Sequence, residues 1–142
     1  MRGRRIIEKS MAKISVINIK ETDKSTEPGY FYVGRSRNNA SPLANPFTHN
    51  GKRSSLAKMS FPTREMAIEA YNRYFDAMYG NDDEFTKAFD EIYEAYKNGT
   101  DIFLGCFCYP KKCHADIIAK KLQQKLIKEK IEEKREKKIK EE

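Results

Sequence analysis

The residues best able to do chemistry crowd into one short segment, Cys106-Phe-Cys108-Tyr-Pro-Lys111-Lys112-Cys113-His114-Ala-Asp116. All three cysteines of the 142-residue chain and one of its two histidines fall between positions 106 and 114. Four readings compete for them. Zinc favours thiolate and imidazole in a tetrahedral shell, so Cys106, Cys108, Cys113 and His114 have the right composition, with His49 as a substitute ligand. Their spacing is tighter than the Cys-x2-Cys pairs of ordinary zinc modules. In the second reading Cys113 or Cys108 is a nucleophile at a helix start beside lysines, His114 serves as acid or base, and Asp116 completes a catalytic set. The third is a Cys106–Cys108 disulfide, which would close a strained ring over one residue. In the fourth the cysteines are buried apolar side chains, and His114 and Asp116 cap a helix.

A second group of residues lies upstream. Tyr32-Val-Gly34-Arg35 ends a strand with a glycine that lets a ligand approach the backbone and an arginine able to hold a phosphate through two parallel hydrogen bonds. Ser41-Pro-Leu-Ala-Asn45-Pro-Phe47 follows. Its prolines keep the path extended, and Asn45 offers a donor and an acceptor suited to a base or sugar edge. Ser41, Lys111 and Lys112 complete the set of candidate ligand-binding residues.

Charge is segregated along the chain. The sequence carries 28 Lys+Arg against 21 Asp+Glu, a net charge of +7. Residues 1–13 hold five basic side chains and one acid, and read as a flexible basic arm, with Met11 as an alternative start. From Arg35 to Arg64 there are six basic residues and no acid, whereas residues 65–110 carry ten acids and three bases. Residues 111–131 return to seven bases against two acids. Two basic stretches around an acidic one point to an anionic partner at a local site.

The elements that must position these groups follow from periodicity. Ile14–Ile19 and Tyr30–Gly34 read as strands, joined by a loose hairpin or an excursion. Residues 35–62 read as a long irregular loop, which inside a compact domain is usually functional or mobile. Thr63 offers an N-cap to a helix whose inner face is Ala67, Tyr71, Phe75 and Met78. A second helix buries Phe85, Phe89, Ile92 and Tyr96 and ends at Asn98-Gly99, with the glycine suited to a left-handed cap. Asp101–Cys106 is a buried strand. A last helix starts near His114 on an apolar row of Ile118, Leu122 and Leu126, extended by Ile131. The expected fold is a small single-domain α/β protein, a mixed or parallel sheet covered by helices, in the order β-β-α-α-β-α with a long C-terminal helix. Residues 14–126 form the domain and 127–142 a charged helical tail. Charged residues make up 35% of the chain, and it has no apolar run near the roughly 20 residues a membrane span needs. No secretory signal is apparent, and a cytoplasmic protein is expected.

Together the Gly34-Arg35 strand end, the Ser41-Pro-Leu-x-Asn45-Pro-Phe47 loop, the Arg64–Tyr71 helix start and the Cys-x-Cys-x-Pro-x-x-Cys-His-x-Asp element resemble a family of small bacteriophage and bacterial proteins known as a domain of unknown function. The likeness covers about residues 30–120, with Phe107 where the family has Trp. It implies a phage setting, and a cytoplasm that is the host's. It also implies a paired site of Arg35, Asn45, Cys106, Cys108, Cys113, His114 and Asp116, without implying an activity.

The resulting expectation is a pocket between the 35–62 loop and the Cys-His helix start that binds a nucleotide or other phosphate-bearing small molecule, with group transfer or hydrolysis as its chemistry. Arg35, Lys111 and Lys112 would meet phosphate, and Asn45 the base or sugar. The alternative is a nonenzymatic nucleic-acid-binding accessory protein stapled by zinc. A host-protein partner for the charged C-terminal helix is a third possibility.

Overall fold

The computed structural model describes residues 12–35, 40–48, 59–106 and 113–141. Among the described residues five strands and three helices follow one another: β1 (Ile14–Asn18), β2 (Tyr30–Tyr32), β3 (Phe47–Thr48), β4 (Met59–Ser60), α1 (Arg64–Met78), α2 (Asp83–Lys97), β5 (Ile102–Cys106) and α3 (His114–Glu141). The main sheet has the order β1-β5-β2, with both outer strands parallel to β5. A parallel pair cannot be closed by a tight turn. Residues 19–29 are therefore an excursion between strands on opposite sides of β5, and the hairpin is ruled out.

The central strand is the most apolar and the most enclosed. Ile102, Leu104 and Cys106 are buried on the face that meets the helices, where Val33 joins them from beyond β2. The opposite face is closed over Gly105, where a Cβ would come within 2.9 Å of Tyr30 and 2.8 Å of the Ile19 side chain. Strand alternation thus gives β5 an apolar environment on both faces, as expected of a parallel sheet.

The helices form where caps and periodicity agree. Thr63 Oγ1 accepts from the Met66 N–H at 3.2 Å, and an Asp82 carboxylate oxygen accepts from the Phe85 N–H at 2.9 Å, each satisfying an N–H that the first turn leaves without a partner. Gly99, φ 93°, takes the left-handed conformation that ends α2. Their inner faces meet in an aromatic core, with the Phe75 ring 5.1 Å from Phe85 and 5.0 Å from Phe89, both edge to face. Each such ring contributes about 1.5–3 kcal/mol through burial.

Two expectations need correction. The apolar row of α3 ends at Leu126: Ile131 is 50% exposed, because by that point the helix has run past the elements it packs on. The helix itself continues without a break to Glu141, and every described side chain from Ile131 to Ile139 faces solvent. The segment expected to be wholly irregular carries a short parallel ladder instead, Phe47 opposite Met59 and Thr48 opposite Ser60. Two residues per strand leave no alternation to detect. The basic arm lies, but for its last two residues, outside the described residues.

Candidate functional site

Parallel strands deliver their C-terminal ends to one edge of the sheet. Asn18 stands opposite Cys106 in register and Tyr32 opposite Gly105, so the Val33-Gly34-Arg35 exit, the end of β5 and the start of α3 are neighbours. Both sequence groups therefore reach the same edge.

Cys106, the last residue of β5, and Cys113, the N-cap of α3, bring their Sγ atoms to 3.4 Å, a thiol–thiol hydrogen bond between buried side chains. The cap is built locally. Asp116 Oδ2 accepts from the Cys113 N–H at 3.2 Å, and the Asp116 N–H donates to the Cys113 carbonyl at 3.0 Å. An acid three residues into the helix reaching back to the cap is half of a capping box, and its charge suits the positive end of the helix.

His114 turns inward. Its Nε2 lies 2.5 Å from the Val33 carbonyl and its ring stands 5.1 Å from that of Tyr71. A carbonyl can only accept, so Nε2 carries a proton. The bond spans 81 residues of sequence and ties the exit of β2 to the start of α3.

Arg35 organises the upstream loop. Its Nε donates to the Asn45 carbonyl at 3.0 Å and its Nη2 to the Phe47 carbonyl at 3.4 Å. Asn45 works in both directions, accepting from the Phe47 N–H at 3.0 Å through Oδ1 and donating to the Ala67 carbonyl at 3.5 Å through Nδ2. Ser41 Oγ accepts from the Leu43 N–H at 3.1 Å, and the Ser41 N–H donates to the Gly34 carbonyl at 3.0 Å. Gly34, Arg35, Ser41 and Asn45 thus form one hydrogen-bonded unit. Two of the five guanidinium donors are used on these carbonyls, which fixes the plane of the charge.

Sequence reasoning missed Tyr71 as part of this unit, placing it only on an apolar helix face. Its hydroxyl donates to the Leu43 carbonyl at 2.7 Å while the ring supports His114, so one side chain joins the loop to the Cys-His element. Burial pushes the Tyr71 phenol well above its ordinary pKa, which keeps it a neutral donor. A tyrosine among core aromatics gives no local sign of where its hydroxyl goes.

Cys108, Lys111, Lys112 and His49 lie outside the described residues. Among the described residues no group of three or more His, Cys, Asp or Glu side chains converges to hold a metal ion. A groove of about 750 Å³ runs along α2, lined by Phe31, Asp83, Thr86, Lys87, Asp90, Glu91 and Glu94. Its four carboxylates make it a poor host for an anion. No described helix is long and apolar enough to cross a membrane.

Fold and site together define a small α/β domain with a parallel three-stranded sheet, whose strand-end edge carries a clamped basic loop and a buried thiol pair. The chain belongs to the family described as Domain of unknown function (DUF4326), whose model matches residues 17–124. That span holds both constellations and most of the elements that position them, and stops within α3. Neither the curated proteins nor the solved structures compared with the chain contain a match.

Proposed function

We propose that the protein binds a nucleotide or another phosphate-bearing small molecule at the strand-end edge, between the 35–62 loop and the start of α3. The observation that carries this reading is the fixed Arg35 guanidinium at the C-terminal edge of a parallel sheet. Ligands of open α/β sheets gather at that edge. Arg35, Lys111 and Lys112 contact phosphate and Ser41 and Asn45 shape the loop around the sugar or base. Group transfer or hydrolysis at this site would draw on Cys113, since His114 Nε2 and Asp116 Oδ2 are engaged in holding the helix start. The setting we infer is a phage or mobile element, acting in the host cytoplasm.

Thermal denaturation against nucleoside mono-, di- and triphosphates, inorganic phosphate and pyrophosphate tests the reading. A ligand at a hundred times its Kd stabilises by about 2.7 kcal/mol. For a chain of this length that is a rise in Tm of roughly 5–10 °C. Absence of a shift with every member of the panel would remove the proposal.

A further inference from the structure

We propose that Cys106 and Cys113 are a redox pair that closes to an intramolecular disulfide under hydrogen peroxide. Three observations carry it. The Sγ atoms are 3.4 Å apart, so little motion separates the hydrogen-bonded thiols from a bond. Each cysteine is fixed by a different rigid element. The Cys106 carbonyl accepts from the Ile19 N–H at 3.0 Å at the end of the central strand, and Cys113 is held at its cap by Asp116. The pair is also nearly sealed, with Cys106 1% and Cys113 4% exposed. Sealing discriminates against bulky disulfide oxidants and leaves a molecule little larger than water.

The chemistry balances with peroxide as the oxidant. Cys113 gives up its thiol proton and its sulfur attacks one peroxide oxygen, the O–O bond breaks, and the hydroxide that leaves takes up that proton to become water. The product is a sulfenic acid. The Cys106 thiolate then attacks that sulfur, the S–O bond breaks, and a second water leaves as the S–S bond forms. Two electrons pass from the two sulfurs to the peroxide. A thiol reductant reverses the reaction by exchange once opening or unfolding exposes the bond. The cross-link ties the end of β5 to the start of α3, and so pins both ends of the segment that carries Lys111 and Lys112.

This proposal stands apart from the nucleotide reading. Its test is intact-mass analysis of the full chain after exposure to hydrogen peroxide, followed by mapping with chymotrypsin and trypsin together, which cut at Phe107 between Cys106 and Cys108 and at Lys112 between Cys108 and Cys113. The expected result is a loss of two hydrogens, about 2 Da, a linked peptide pair containing Cys106 and Cys113, and full recovery with dithiothreitol in denaturant. Cys108→Ala keeps the loss and Cys113→Ala abolishes it. Three outcomes overturn the proposal: gains of about 16 Da or multiples without a cross-link, cross-links through Cys108 alone, or one zinc per chain in the native mass spectrum with thiols unreactive to peroxide.

Discussion

Tyr71 shows how much of this site rests on single polar atoms inside an apolar core. Removing its hydroxyl leaves the Leu43 carbonyl without that donor in a buried setting, and such a loss costs about 1–3 kcal/mol. Tyr71→Phe keeps the ring against His114, so we expect the fold to survive with a Tm several degrees lower in thermal melts, and with faster amide exchange at Leu43 and Ala44. A second residue-scale prediction concerns Glu129, which accepts from the Tyr93 hydroxyl at 2.8 Å and pairs with Lys97 at 3.4 Å and Lys125 at 3.3 Å. The Tyr93 hydrogen bond, helped by the lysines against some burial, holds its carboxyl below the ordinary glutamate range. A carboxylate with a depressed folded pKa adds stability that is present above its unfolded value, about 4.3, and lost as pH falls through the folded one. The group is about a third exposed, so its share is small. Glu129→Gln should cost about 0.5–1 kcal/mol at pH 7 by urea denaturation, and the difference should shrink as pH falls below about 4.3 and vanish only below the depressed folded pKa.

Among the elements, the sheet depends on a close approach that only glycine allows. A Cβ at Gly29 would sit 1.8 Å from the Asp101 carbonyl oxygen, a backbone atom that cannot swing aside. The same glycine accepts the Phe103 N–H at 2.8 Å and so sets the register of β2 on β5. Gly29→Ala should destabilise by about 3 kcal/mol or more in chemical denaturation, or prevent folding altogether. The element level is also where the sequence was most and least informative. Helices α1 and α2 were legible because their aromatic rows repeat every three or four residues and Thr63, Asp82 and Gly99 punctuate them. The central place of β5 was not, since nothing local in Ile102–Cys106 says which strands flank it. The clamp around Arg35 and the Cys106–Cys113 approach were hidden for the same reason. The sequence reading weighed a disulfide between Cys106 and Cys108, neighbours in the chain, whereas the fold brings Cys106 to Cys113 by turning strand into helix.

At the scale of the whole molecule, the net charge of +7 divides into parts with different meanings. The acidic stretch is largely the outer surfaces of α1 and α2, while Arg35 comes to the strand-end edge of the sheet. The outer third of α3 carries mixed charges with no described side chain buried beyond Leu126. A chain ending after residue 131 should therefore melt within about 2 °C of the full one, because exposed surface residues contribute little to stability. A chain ending after residue 126 loses Glu129 and its ties to α2, and should melt measurably lower.

The central claim is that the strand-end edge holds phosphate. Its most direct test is calorimetric titration of nucleoside triphosphate and pyrophosphate into the full chain and into the Lys111→Ala/Lys112→Ala double variant. The account predicts saturable one-to-one binding by the full chain, weakened at least tenfold in the variant, equivalent to about 1.4 kcal/mol. Absence of heat with either ligand, or equal affinity in both proteins, would contradict it.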